Sequence, residues 1–224
     1  MAVQIDVARS ELAFEAGFPS AEFSLLQGSS LLHHLYARLL PHGLKLADLR
    51  IERGAGNVGD YHVLCYLFDY LMTIRVRIER IEVQCSSLPN AEQLGKYQAA
   101  IVDLLQAVKD FKKDLSFRAF AVASTVHARL QGVSVRDYLA SFAPTLPKGL
   151  GTPTGNGAAF YFGPEGDRIL SSITLDTSAL VSDALFVRIH AVWDASKISP
   201  ETLAGGVAEG FVRQALDTLG LHTA

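Results

Sequence analysis

The strongest constraint in this sequence is an order of secondary-structure signals that runs through the chain twice. A strand, a long helix, three strands and a second helix occupy roughly residues 10–111, and a similar order occupies roughly 117–219. The likeness lies in hydrophobic pattern rather than in residue identity. Two stacked copies of one small α+β unit make a pseudo-twofold body with a central seam, and such seams bind ligands or partners. The rival explanation is chance, because helices and strands are common in every globular chain.

Glu11–Phe18 alternates, with Leu12, Phe14, Ala16 and Phe18 on one face, which predicts a half-buried strand. Pro19-Ser20 follows, with Ser20 placed to cap a helix. Leu25, Leu32, Leu35, Tyr36 and Leu39 recur at three- and four-residue steps, predicting a helix of about 20 residues that Pro41 and Gly43 stop. Asp48–Arg53 alternates again. Tyr61–Phe68 and Leu71–Val83 read as a hairpin turning at Asp69-Tyr70. In its second arm Met72, Ile74, Val76 and Ile78 share a face, whereas Ile81 and Val83 take odd numbers. A bulge near Glu79-Arg80 accounts for that switch. Asn90 and Gln93 form a capping box for a helix whose stripe is Leu94, Tyr97, Ile101, Leu104, Leu105, Val108 and Phe111.

The second pass starts with a strand over Phe117–Leu130. Ser134 and Asp137 make another capping box, ahead of a short helix carrying Val135, Tyr138, Leu139 and Phe142. Pro144–Gly157 reads as loop. Ala158–Phe162, Arg168–Asp176 and Ala184–Trp193 read as strands, with a tight turn at Gly163–Gly166. Ser199-Pro200 opens the last helix, whose apolar face is Leu203, Val207, Phe211, Ala215 and Leu219. Between the halves Ser20 maps to Ser134, Arg77 to Arg188 and Asn90 to Ser199, a shift that stays within 109–114 positions.

Most local motifs dissolve in their context. Gly54–Gly59 spells GxGxxG, but a strand-like aromatic segment follows it where a dinucleotide site needs a helix. Gly149–Gly157 lacks the Lys-Ser/Thr ending of a P-loop; it reads as a surface loop or as a lid over the seam. The seven histidines form no HxH, HxxxH or HExxH, and no serine sits in GxSxG. Asp69, Asp176, Asp183 and Asp194 fall at strand ends or turns, where aspartate caps the turn. No metal site and no cofactor is expected. Trp193 reads as core. Phe160, Tyr161 and Phe162 put aromatics on both faces of one short strand, which suggests either two-sided burial or an exposed patch for a partner.

The strand arginines are the candidates for a ligand site. Arg75 and Arg77 share one strand face, and Arg188 and His190 share another. If those faces line the seam, the pseudo-equivalent Arg77 and Arg188 hold an anionic ligand between them. The alternative is a solvent-facing sheet with cross-strand ion pairs to Glu79 or Glu82.

Bulk properties exclude some classes. A chain of 224 residues, 49% hydrophobic and 19% charged, buries a core. Its net charge of −3 gives no basic surface for general nucleic-acid binding. Cys65 and Cys85 stand twenty positions apart with no CxxC, which suits a reducing cytoplasm. The first residues carry no signal-peptide pattern. Asp69 and the arginines after it make the most apolar window, Tyr61–Ile74, too short and too charged to span a bilayer.

Val76–Val83 ahead of Asn90 and a long helix, then Ile169–Leu180, Phe186–Trp193 and a final helix with Gly210-Phe211-Val212, is an order similar to a sporadically distributed bacterial family of uncharacterised proteins. The resemblance implies a bacterial, soluble accessory protein and carries over no catalytic residues.

The expectation is therefore an α+β protein of two similar βαβββα halves, residues 1–113 and 114–224. Mixed, mainly antiparallel sheets pack against amphipathic helices. The expected function is a non-enzymatic cytoplasmic interaction or accessory subunit, with a protein partner or self-association and with neither nucleic acid nor membrane. One alternative is a sensor that holds an anionic small molecule at the seam through Arg75, Arg77, Arg188 and His190. Another is an enzyme whose site assembles only in space.

Overall fold

The structure is a computed structural model that describes residues 2–26, 28–52, 61–86, 91–142 and 156–223. It is an α+β protein in which several helices pack on a large, mainly antiparallel sheet. The strands are β1 (Val3–Gly17), β2 (Leu49–Glu52), β3 (His62–Leu67), β4 (Met72–Arg77), β5 (Arg80–Cys85), β6 (Ala119–Leu130), β7 (Ala158–Phe162), β8 (Arg168–Thr177), β9 (Ala184–Asp194) and β10 (Leu221–Thr223). The helices are α1 (Gly28–Leu39), α2 (Ala91–Phe111), α3 (Val135–Ala140), α4 (Pro200–Thr202) and α5 (Ala208–Thr218).

Where several sheets are expected, there is one. Its order is β2-β3-β4-β5-β1-β6-β9-β8-β7, and β10 pairs with β1. Every neighbouring pair along that path is antiparallel. Only β10 is parallel to its partner, with Leu221 opposite Val3. The two long strands β1 and β6 lie side by side at the centre, Phe14 opposite Val122 and Ala13 opposite Ala123. Alternation then divides their side chains. Leu12, Phe14, Val122 and Ser124 face the helices, while Ala13, Glu15, Ala121 and Ala123 face away from them.

The two core clusters lie on the helix side. One gathers α1 and α2 over β1 and β3–β6, with Leu35, Ile74, Tyr97, Leu104 and Phe120 fully buried. The other gathers α3 and α5 over β6, β8 and β9, with Tyr138, Leu139, Leu175 and Val187 buried. Tyr138 Oη donates to the Leu219 carbonyl at 2.8 Å, which ties α3 to the end of α5. Trp193 is 3% exposed, as expected of a core residue, and meets Phe211 edge-on at 6.0 Å.

Four local expectations need correction. The first long helix is shorter than its stripe: a 3₁₀ turn at Phe23–Leu26 precedes α1, which begins only at Gly28. Leu25 is buried from that turn, so the apolar spacing survives the break. The supposed bulge near Glu79-Arg80 is a hairpin turn, so four strands, not three, follow α1. Val76 opposes Ile81 across it, and cross-strand partners five residues apart share a face, which flips the numbering just as a bulge does. The last helix is also interrupted. Ser199 caps it by accepting from the Thr202 N–H at 3.1 Å, but a kink within Leu203–Val207 follows, with Gly206 at φ 124°. Finally, β10 went unforeseen; it pairs along the stretch of β1 that β5 leaves free.

The second capping box forms as expected, with Ser134 Oγ accepting from the Asp137 N–H at 3.1 Å and donating to its carboxylate. The 54–59 glycine loop, the Asn90 cap and residues 144–155 of the proline- and glycine-rich loop lie outside the described residues.

Candidate functional site

The face of the sheet that carries no helix holds a trough across its centre. Alanine at Ala13, Ala121 and Ala123 keeps the floor low, and longer side chains on the outer strands stand as walls. Arg75 on β4 with Glu82 and Gln84 on β5 form one wall, and Arg188 and His190 on β9 form the other. Glu15 from β1 stands within it. The enclosed volume is about 400 Å³. From β4 to β9 is four strand spacings. At about 4.8 Å each, the two arginine backbones stand roughly 19 Å apart across the strands.

Charge within the trough is unevenly compensated. Glu82 lies directly opposite Arg75 in the β4–β5 ladder, yet its carboxylate turns elsewhere. Arg77 Nε donates to it at 3.1 Å and Arg80 Nε at 2.6 Å. Burial alone raises the Glu82 pKa, but these two guanidinium hydrogen bonds outweigh it and hold the carboxyl below its ordinary value. Arg80 also reaches Glu15 at 3.6 Å. The acids of the trough are thus neutralised by arginines outside it. Among the described residues neither Arg75 nor Arg188 takes part in an ion pair or a side-chain hydrogen bond. His190 is held below its ordinary pKa by burial and then by the charge of Arg188, so at neutral pH its ring is uncharged. Two fixed positive charges remain over an alanine floor.

The Glu82 cluster has a measurable signature. Its carboxyl is lowered in the folded state, so its contribution to stability is present above the ordinary carboxylate pKa and is lost as pH falls through the lowered one. Glu82→Gln should therefore flatten the acid limb. Between about pH 6 and about pH 3, urea unfolding should show the wild type losing more stability than the variant. Equal losses would mean that Glu82 is not held in its charged form.

The sequence pairs Arg77 with Arg188, but the fold brings Arg75 to the same trough as Arg188 and His190 and leaves Arg77 outside its lining. Arg77 sits at the end of β4 with Glu82, in the cross-strand ion pair that was the alternative reading of these arginines. Sequence reasoning missed Gln84, the alanine floor and the neutralising role of Arg80. Period-two alternation over Glu11–Phe18 places Ala13 and Glu15 on the outer face, but nothing local shows that β6 adds two more alanines beside them.

No serine, threonine, cysteine or lysine lines the trough. Its charged and polar groups are of the kind that can hold an anion by charge and hydrogen bonding. The two cysteines lie on the opposite, buried side, where burial pushes both thiols up to about 12. At neutral pH they are therefore protonated and inert. Among the described residues no group of three or more His, Cys, Asp and Glu comes together to hold a metal, and no helix is long and apolar enough to cross a membrane.

No family model and no curated protein matches the chain. Among solved structures it is similar to Methanococcus jannaschii TBP, at 10% identity and a TM-score of 0.31, over 96% of this chain and 98% of that one. A likeness at that score says nothing about function or ligand.

Proposed function

We propose that this protein binds a small molecule bearing anionic groups in the trough at the centre of the sheet, as a binding protein rather than an enzyme. The observation that carries this is the pair of uncompensated guanidinium groups, Arg75 and Arg188, on opposite walls of one trough whose acids are already engaged by Arg77 and Arg80. A guanidinium presents a fixed fork of donors to a carboxylate or phosphate, and two such forks orient an elongated ligand at both ends. The alanine floor leaves room for the ligand's middle.

The same reading takes the chain as two similar halves, 1–113 and 114–224, meeting at β1 and β6. Outward from β1 the strands run β5, β4, β3; outward from β6 they run β9, β8, β7. That mirrored order favours an internal duplication, and on this reading the trough lies on its seam.

Calorimetric titration of the purified protein with adipate and with inorganic pyrophosphate tests the proposal. The wild type should saturate with at least one of them, and Arg188→Ala should weaken that binding by about tenfold, the worth of one lost charge-assisted hydrogen bond. Absence of saturation with both ligands, or an unchanged dissociation constant in the variant, would sink it.

A second reading, an interaction subunit acting in a complex, is favoured by the β7–β8 end of the sheet. Tyr161 is 82% exposed and Phe162 47%, and Ile169 and Leu170 beside them are 40% and 42% exposed. Exposed apolar side chains gathered in one place suit a protein contact. Sedimentation velocity over a concentration series, alone and with extract from the native host, checks it; a monomer in every sample counts against it.

A further inference from the structure

The central strands present a second cavity on their other face. Leu12 and Phe14 of β1 and Val122 and Ser124 of β6 floor a space of about 180 Å³. Leu94, Gln98 and Ile101, one stripe of α2, form one side. Pro200, Leu203, Ala204, Ala208, Glu209 and Val212, on the C-terminal helical segment, form the other. The cavity sits where the two core clusters meet. We infer that it is a binding site for an uncharged, mainly aliphatic molecule of about seven non-hydrogen atoms with one hydrogen-bonding group, a size scaled from the roughly 150 Å³ cavity that accommodates benzene.

Three observations converge on this ligand class. The lining is apolar except for Gln98, Ser124 and Glu209, so a ligand that fills it buries hydrocarbon. Of those three, Glu209 is already bound to Arg213 at 2.7 Å. The neutral Ser124 hydroxyl and Gln98 amide are left to meet a neutral hydroxyl or carbonyl. The volume also sets the size, being too small for a docked helix or strand.

The third observation is the wall itself. Pro200–Thr218 is kinked at Leu203–Val207, where Gly206 takes φ 124°, a value that glycine alone adopts without strain. The kinked segment contributes Leu203 and Ala204 to the lining, and Ala208 stands where the regular helix resumes. Two alanines at these positions leave space that longer side chains would take from the ligand. The break in the helix thus falls where its residues form the cavity wall. This site is separate from the trough: it lies on the opposite face of β1 and β6, it uses none of the arginines, and it stands or falls independently of the anion.

Ligand-observed NMR with a ladder of n-alkanols, from butanol to dodecanol, tests the inference on the full chain. Affinity should rise with chain length to about hexanol and then fall, because a cavity of fixed volume rejects longer chains. Ala204→Phe should weaken hexanol binding by about tenfold or more while leaving the circular dichroism spectrum unchanged. Where that variant fails to fold, the smaller change Ala208→Leu provides the same test. Hexanoate should bind about tenfold more weakly than hexanol, since its carboxylate enters beside Glu209. Affinity that climbs steadily through dodecanol, or that neither filling variant reduces, would overturn the site; hexanoate binding as tightly as hexanol would overturn the uncharged class.

Discussion

Phe120→Ala is expected to remove about 3–5 kcal/mol of stability, the usual cost of deleting a buried phenyl group and leaving its cavity. The side chain is 1% exposed. Its ring stacks on Phe14 at 6.0 Å and leans on Phe117 at 5.5 Å. On the ladders it stands opposite Ala16 of β1 on one side and Trp193 of β9 on the other, so it packs between strands that the sequence holds far apart. Since a domain is typically stable by about 5–15 kcal/mol, this one substitution removes roughly a fifth or more of the total. Urea unfolding should show the midpoint falling by roughly 1–2 M with little change in slope. Phe162→Ala, at a position 47% exposed, should cost about 1 kcal/mol or less. Comparable losses in the two variants would contradict the packing described.

The second large effect concerns the trough. Arg75→Ala with Arg188→Ala should weaken anion binding by about a hundredfold or more, since each guanidinium contributes about 1.5–3 kcal/mol of charge-assisted hydrogen bonding. Arg77→Ala is the discriminating control. Arg77 is spent on Glu82, and Arg80 continues to hold that carboxylate at 2.6 Å when Arg77 is gone. Its removal should change the affinity by no more than about threefold. Calorimetry on the two variants reads both outcomes. A large loss from Arg77→Ala with little from the double variant would remove both Arg75 and Arg188 from the site and place the anion at Arg77 instead.

Much of the local structure was legible in the residues because its causes are local. Ala158–Phe162 is predicted to the residue, and β8 and β9 each end only one residue later than expected. Ser134 with Asp137, and Ser199 with Pro200, mark helix starts because capping is settled within one turn. The shared face of Arg75 and Arg77, and of Arg188 and His190, follows from period two alone. The failures share a different cause. A hairpin turn and a bulge produce the same flip between Val76 and Ile81, so hydrophobic pattern cannot separate them. The three residues of β10 are too short to carry a period. The kink at Gly206 hides inside an apolar stripe that remains regular on either side.

The sequence by itself determined which way each side chain faces: hydrophobic alternation put the arginines on the polar side of their strands and the leucines beneath the helices. Tertiary structure decided which of those side chains meet. Arg75 reaches the trough opposite Arg188 only because β5, β1 and β6 intervene with short residues at Ala13, Ala121 and Ala123. Arg77 is withdrawn from it only because Glu82 turns toward it across a hairpin. The physical reason is one of range. Backbone sterics and capping act over a few residues and are written in the local pattern, whereas strand order and charge compensation depend on residues that the chain brings together only on folding.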